Sequence, residues 1–208
     1  MKKITPYKTT RNAITAMDNG GRFYNLLTKA NDGNVSTSEL AKIAGVFSDK
    51  QKMVLYLEMS LLSLDENSKH SVIKLLSNDL AIAYHKYKSQ ILMPSKAIEN
   101  GIVSKNAIIT GTPEYVTSNS DFNGFIMIPI MAGSVMTMTM IPIIDHYDVY
   151  KIRDQESDQH FLIAHARSSK KLPQQLIKCG GILKELKTNK KVGNQQNKFL
   201  ETVYYSVL

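Results

Sequence analysis

The hydrophobic pattern of the chain changes near residue 90, and this change constrains the fold more than any other feature. Before it, apolar residues recur three and four positions apart, which is the spacing of one face of an α-helix. After it, they come in short runs separated by Gly, Pro, Asn and Ser, as in strands joined by turns. The 208 residues leave room for one large domain or two small ones. We therefore predict an α+β protein, with a helical bundle over residues 1–90 and a β-rich domain over residues 91–208.

The first ninety residues contain three signals for the start of a helix. Residues 36–39 form a capping box, in which the first serine accepts from a free amide and the glutamate reaches back. Residues 48–51 repeat the arrangement with glutamine in the last place. Residues 65–68 give a third start, and one apolar stripe follows it from Val72 to Tyr87. Three capped starts with short connections are typical of a compact helical bundle.

The second half is predicted to be a small antiparallel β-barrel or a sandwich, because its apolar runs are short and frequent. Gly180 and Gly181 predict a bulge or bend in a strand that closes the barrel. A last run, residues 203–207, either returns as an edge strand or hangs free. The other β-like runs cover residues 102–103, 107–109, 125–131, 135–143, 147–152, 161–164 and 176–177.

Residues 122–144 carry no charged side chain and are long enough to cross a bilayer. Pro129 and Pro142 each remove a helical amide, and Ala132-Gly133 lies centrally as a turn. We therefore favour a buried hairpin and expect no membrane span. The sequence Met-Thr-Met-Thr-Met at residues 136–140 offers thioethers on one strand face that suit Cu(I), but methionine is also an adaptable core residue, and the core interpretation is favoured.

The formal net charge is +8, and it is unevenly distributed. Residues 1–90 carry a balance of +5, residues 91–165 a balance of −4, and residues 166–208 a balance of +7. A basic C-terminal third is a candidate surface for phosphates or for an acidic partner, although lysine-rich ends are also ordinary solvated faces. Cys179 is the only cysteine, so no intramolecular disulfide can form, and a cytoplasmic setting is the default expectation.

Cations and aromatic rings on or beside the predicted strands form the candidate nucleic-acid-binding set. Rings on which bases stack and cations that meet phosphates are the two components of single-strand binding. Periodicity alone leaves open whether the two rings belong to the core instead. The candidate residues are Tyr147, Lys151, Arg153, Phe161, Arg167, Lys170, Lys171 and Lys178.

Two family resemblances follow from these segments. Asp32-Gly33, Glu39-Leu40 and the acidic turn at residues 64–66 resemble the tellurite-resistance TerB-like helical family over residues 10–88. That resemblance implies an all-helical module used in stress-linked assemblies, sometimes with metal at its acidic turns. The rhythm of strand, turn, strand, loop and strand from residue 147 to residue 186 resembles an OB-fold β-barrel.

We predict neither a calcium loop nor an active site. If Gly33 takes the sixth place of a calcium loop and Glu39 the twelfth, then Thr28 and Ala30 stand at the first and third places, and alanine has no side-chain oxygen. The chain has no phosphate-loop signature and no nucleophile elbow, so we predict no metal, no cofactor and no catalytic residue.

The leading hypothesis is a non-enzymatic binding protein that contacts single-stranded nucleic acid, or an acidic protein partner, through its basic β-domain. The first alternative is a protein-interaction or stress-assembly module with no role in nucleic-acid binding. The second alternative is a small-ligand-binding or enzymatic barrel whose site is formed only in three dimensions.

Overall fold

The computed structural model describes residues 1–20, 29–116, 124–132, 135–153, 159–167, 170–188 and 198–208. These residues form a mixed α+β protein that divides into two compact units. One unit covers residues 2–89, and the other covers residues 90–208 together with Met1.

The unit of residues 2–89 is mainly helical in its described part. Helix α3 (Lys50–Ser60) is buried along most of its length, and α2 (Thr37–Ala44) and α5 (Asn78–Tyr87) pack against it. Helix α1 (Thr10–Met17) packs against α2 and against α4 (Glu66–Ile73). The apolar stripes predicted from spacing supply the buried side chains, among them Leu40, Val54 and Leu80. Its elements are β1 (Lys2–Lys3), α1 (Thr10–Met17), α2 (Thr37–Ala44), α3 (Lys50–Ser60), α4 (Glu66–Ile73) and α5 (Asn78–Tyr87).

The predicted helix starts are confirmed, with one shifted by a residue. The capping box of α2 is complete: Ser36 Oγ accepts from the Glu39 amide at 3.3 Å, and Glu39 Oε2 accepts from the Ser36 amide at 2.8 Å. Asp65 caps α4 as predicted. Helix α3 is capped by Asp49 rather than by the serine before it, because the aspartate carboxylate accepts from the amide three residues on at 3.0 Å.

The single stripe predicted from Val72 to Tyr87 is wrong as one helix, because the chain leaves the helix between Ile73 and Asn78. The backbone there bonds to Val35 instead. The Val35 amide donates to the Leu75 carbonyl at 2.6 Å, and the Val35 carbonyl accepts from the Ser77 amide at 2.9 Å. A backbone partner about forty residues away in the chain therefore interrupts a locally continuous helical pattern.

The second unit contains a closed five-stranded β-barrel. Around the barrel the strands follow the order β3 (Asn106–Tyr115), β6 (Tyr147–Arg153), β7 (His160–Ala166), β10 (Lys198–Val207), β8 (Ile177–Glu185) and back to β3. A further strand, β2 (Gln90–Leu92), adds a parallel partner to β3. The pair β7–β10 is parallel, and the other four pairs of the closed barrel are antiparallel. The barrel strands are β3 (Asn106–Tyr115), β6 (Tyr147–Arg153), β7 (His160–Ala166), β8 (Ile177–Glu185) and β10 (Lys198–Val207).

The remaining elements of this unit lie before and between the barrel strands. A three-stranded sheet of order β5, β4, β9 is formed by two long connections of the barrel. The run predicted at residues 102–103 is not a strand. These elements are β2 (Gln90–Leu92), a 3-10 helix (Pro94–Lys96), α6 (Ala97–Asn100), β4 (Gly124–Ala132), β5 (Val135–Pro142), α7 (Ile143–His146) and β9 (Lys187–Thr188).

The C-terminal run is neither an edge strand nor free. It is β10, which lies between β7 and β8 and closes the barrel. Its register shifts between Thr202 and Tyr204, opposite Gly181 and Gly180, so the predicted irregularity lies in the strand that faces the two glycines. A Cβ on Gly181 would overlap the carbonyl oxygen of Glu201, and glycine therefore permits this close approach of two backbones.

The apolar segment forms the predicted hairpin, since β4 and β5 pair antiparallel from Phe125↔Pro142 to Ala132↔Val135. The prediction of full burial is wrong for Met136 and Met140, whose side chains are 66% and 46% exposed. In the described part of the chain no helix is both long and apolar enough to span a membrane.

Candidate functional site

The inward row of each barrel strand forms the barrel core, and Phe161 belongs to it. This ring is fully buried among Ile109, Ile152, Ile163 and Leu200. It therefore has no face to offer to a nucleic-acid base. Its place in the candidate set is a misassignment, because the strand alternation puts residues 161, 163 and 165 inside the barrel.

The outward faces of β6, β7 and β10 are covered by a second apolar cluster. Val116, Ile143 and Leu186, from the connections between strands, form a cluster with four strand residues. These strand residues are Val149, Leu162, Ala164 and Phe199. The middle of this surface is therefore not accessible to a ligand.

Tyr147 lies at the margin of this outer cluster and is half-buried. Its ring meets Phe199 edge-on, with centroids 6.2 Å apart, and its hydroxyl donates to Glu201 Oε1 at 3.0 Å. Burial, and then the charge of Glu201, raise the pKa of Tyr147 to about 12. The ring is thus held by neighbours of its own domain.

Lys151 and Arg153 lie further along the outward row of β6. Arg153 Nη2 is 3.1 Å from Glu114 Oε2, and Glu114 lies opposite Lys151 in the β3–β6 register. Burial, followed by the charges of Lys151 and Arg153, lowers the pKa of His160, which is the register partner of Arg153. The connection that follows β6 adds three acidic residues in the sequence, Asp154, Glu156 and Asp158, outside the described residues. Glu114 thus offsets the cationic charge at this end of β6.

Three other candidate cations lie at or next to the opposite end of the β6–β7 pair, where one of them contacts a ring that is absent from the predicted set. Lys171 Nζ lies 4.1 Å from the centroid of the Tyr115 ring, in a cation–π contact. The Arg167 guanidinium donates to the Ile144 carbonyl, and its charge opposes the rise in the pKa of Tyr115 that burial causes. Lys170 is exposed beside Lys171. We call Tyr115, Arg167, Lys170 and Lys171 the barrel-end site.

Tyr115 reaches this position because β3 is longer than its apolar run predicts. Residues 107 and 109 point into the barrel, and the same row continues through Gly111 and Pro113 to Tyr115. At Gly111 a Cβ would overlap the Arg153 carbonyl oxygen, so glycine permits β3 to cross close to β6 there. A ring at the end of an inward row, followed by a connection, is the signal that would have identified Tyr115.

Buried polar groups lie directly beneath the barrel-end site. The Tyr115 hydroxyl donates to Asp148 Oδ1 at 3.2 Å, and the Tyr115 ring meets the Tyr150 ring at 5.2 Å. The Tyr150 ring stacks on His165 at 5.6 Å, and its hydroxyl accepts from the Leu172 amide at 3.0 Å. Burial raises the pKa of Tyr150 to about 12. These contacts fix the Tyr115 ring and the backbone beside Lys171.

Lys178, the last candidate cation, lies apart on β8. It points outward, since its neighbours Ile177 and Cys179 are in the barrel core, and it pairs in register with Thr110 of β3. Cys179 is fully buried, and burial raises the pKa of its thiol. It is therefore a core residue without thiolate character.

The acidic turns of the helical unit do not fit a metal ion. The two oxygens of Asp18 accept from the amides of Asp32 and Gly33 at 3.1 and 2.7 Å. Glu39 is fully buried and accepts from the amides of Gly20 and Ser36 at 2.7 and 2.8 Å. These carboxylates thus hold loop backbone. Among the described residues no three His, Cys, Asp or Glu side chains group to hold a metal.

No protein family model matches the chain, and no curated protein matches its sequence.

Proposed function

We propose that the protein is a non-enzymatic binding protein that holds single-stranded nucleic acid at the barrel-end site. The observation that carries the proposal is the cation–π contact of Lys171 with the Tyr115 ring, with the Arg167 charge acting on the same tyrosine and Lys170 exposed next to Lys171. Cations that follow a backbone and an aromatic ring for stacking are the recurring components of sequence-tolerant single-strand binding.

We further propose that the barrel is an OB fold. The closed five-stranded barrel, with one parallel pair among antiparallel neighbours, supports this assignment. OB folds bind oligonucleotides on the face of their second and third strands and on flanking loops. The corresponding face, on β6 and β7, is covered here by Val116, Ile143 and Leu186. The proposed site is therefore displaced to the end of these strands.

Binding at this site follows from an exchange of partners. A base that stacks on Tyr115 takes the place of the Lys171 ammonium over the ring. The released ammonium then meets a phosphate, and Lys170 and Arg167 lie in the same segment to meet the neighbouring ones. Since a cation–π contact at an exposed site contributes only about 0.5–1 kcal/mol, stacking at about 1–3 kcal/mol per base favours the exchange.

The dependence of affinity on salt tests the proposal. Three phosphate contacts on a single strand predict a slope of log K against log salt of about −2, at about −0.7 per contact. Lys170→Ala/Lys171→Ala should reduce the slope to about −0.7 and weaken binding equally for all sequences. The matched control is Lys96→Ala/Lys105→Ala, which removes two exposed cations of the same unit and should leave the slope unchanged. Equal effects of the two double variants would show that only net charge matters.

Substitutions of Tyr115 distinguish base stacking from simple charge attraction. Tyr115→Phe keeps the ring and loses the bond to Asp148, whereas Tyr115→Leu removes the ring. We expect the leucine variant to lose about 1–3 kcal/mol of affinity and the phenylalanine variant to lose less. Identical affinities for the two variants would contradict a stacking role.

A second candidate function is supported by the hairpin of β4 and β5. Met136 and Met140 are exposed on one face of β5, and adaptable methionine surfaces are common where proteins bind one another. This favours the protein-interaction module as the alternative. Absence of oligonucleotide binding by the wild type at low salt, together with a protein–protein association that is lost in Met136→Ser/Met140→Ser, would favour this alternative over binding at the barrel end.

A further inference from the structure

His165 is buried beneath the barrel-end site with one ring nitrogen unpartnered. Its Nδ1 lies 3.0 Å from the Ala166 carbonyl oxygen. Because a carbonyl can only accept, Nδ1 carries the proton and Nε2 of the neutral ring is an acceptor. That Nε2 is buried and has no hydrogen-bond partner among the described residues. An unsatisfied buried acceptor is unfavourable, and a proton bound there would convert it into a donor.

The carboxylate of Asp148 belongs to the residue directly opposite His165 in the sheet. Asp148 and His165 are register partners on β6 and β7, and both point into the barrel. Directly opposed side chains on one face have Cβ atoms about 4.5–5.5 Å apart, which allows an imidazolium to pair with the carboxylate. Asp148 is also the acceptor for the Tyr115 hydroxyl, so it connects His165 to the barrel-end site.

We propose that protonation of His165 controls anion binding at the barrel-end site, so that the site holds a nucleic-acid phosphate more tightly as the pH falls. The inference rests on the proposed function, because it concerns the regulation of the same site. The imidazolium pairs with Asp148 and neutralises the negative charge that lies under Tyr115 and Lys171. Removing that charge reduces the repulsion felt by a phosphate above it.

The groups around His165 set the pH range of this control. Burial lowers the pKa of His165, while the Ala166 carbonyl and the Asp148 charge act in the opposite direction, and the amino terminus of Met1 lowers it further. Tyr150 stacks on the ring and Tyr115 and Lys171 lie beyond it, and burial keeps both tyrosines neutral in this range. A bound phosphate raises the pKa of His165, because its charge favours the imidazolium. By reciprocity, proton uptake raises phosphate affinity.

The test is the affinity of the full-length protein for oligothymidylate, whose bases do not titrate in this range. From about pH 7.5 to about pH 5.5 the wild type should bind about three- to tenfold more tightly, since one linked proton gives at most about tenfold per pH unit. His165→Gln should change less than about twofold. Asp148→Asn should bind at about pH 7.5 as tightly as the wild type does at about pH 5.5. His146→Gln, at an exposed histidine near Arg167, is the control and should keep the wild-type profile.

A second measurement covers variants that fail to fold. Imidazole NMR resonances of the wild type, with and without oligothymidylate, give the pKa of His165 directly, and binding should raise it. An unchanged His165 pKa, or a profile that His165→Gln shares with the wild type, overturns the inference while leaving the proposed function intact. Absence of binding by the wild type at every pH refutes the proposed function and this inference with it.

Discussion

The burial of Phe161 gives a prediction whose size follows from the barrel. The ring is fully buried between apolar side chains of β3, β6, β7 and β10, so Phe161→Ala leaves a cavity that these strands cannot fill without opening the barrel. Such substitutions cost about 3–5 kcal/mol. Phe161→Leu, which keeps most of the volume, should cost much less.

Cys179 reports this loss within the barrel alone. It is the only cysteine of the chain, it is fully buried in the same cluster as Phe161, and burial raises the pKa of its thiol. A disulfide reagent such as dithiobisnitrobenzoate can therefore attack it only after the barrel opens. At about 1.4 kcal/mol per factor of ten, Phe161→Ala should speed thiol modification by about two to four orders of magnitude. The probe lies in the unit that contains the barrel.

Two outcomes would refute the reasoning. The first is rapid modification of Cys179 in the native wild type. The second is a rate for Phe161→Ala that is no faster than that for Tyr147→Ala, which truncates a half-buried ring at the margin of the outer cluster. Either result would show that the ring of Phe161 does not support the core around the thiol.

Three further predictions concern stability. Glu39→Ala should lower the free energy of unfolding of the helical unit by about 1–3 kcal/mol, because it leaves the buried Gly20 amide without its acceptor. Helical circular dichroism during unfolding measures this loss, and Asp32→Ala is the control with a small expected effect. Burial raises the pKa of Glu58, so just above the usual carboxyl pKa the folded state binds more protons than the unfolded state, and the free energy of unfolding falls as the pH rises through that window. Glu58→Gln should therefore be more stable than the wild type at neutral pH and equal to it near pH 4. A variant that is less stable than the wild type at neutral pH contradicts this prediction. Gly181→Ala should prevent barrel closure and expose the Cys179 thiol, and a native-like modification rate would show that the β8–β10 approach is not as close as described.

Local signals in the sequence are sufficient for the starts of α2 and α4 and for most strands. The capping box at Ser36 and the cap at Asp65 involve residues three apart, so their physics is complete within a few positions. The break between α4 and α5 was not predictable in the same way. It depends on hydrogen bonds from Val35, which lies about forty residues earlier.

The closure of the barrel is likewise non-local. The run at the C-terminus has the composition of a strand wherever it pairs, and only the positions of β7 and β8 place β10 between them. Its parallel pairing with β7 cannot be predicted from the alternation of apolar and polar residues. That alternation indicates which face of the sheet a side chain lies on, but not which strand is the neighbour.

The candidate site was predicted in part for the same reason. Arg167, Lys170 and Lys171 were identified from the concentration of charge, which needs no fold. The stacking ring cannot be identified in the same way. Strand β7 is apolar on both faces, so alternation cannot distinguish the inward Phe161 from the outward Leu162. Tyr115 is a candidate because β3 extends beyond its apolar run to the barrel end.

Photocrosslinking tests directly whether nucleic acid lies against Tyr115 at the barrel end. A single-stranded oligonucleotide with 5-iodouracil in place of thymine should be irradiated with the full-length protein at low salt, and the crosslinked peptide mapped by mass spectrometry. We predict a crosslink at Tyr115, lost in Tyr115→Leu and strongly reduced in Lys170→Ala/Lys171→Ala. Crosslinks confined to Tyr147, or to residues 2–89, would contradict the account.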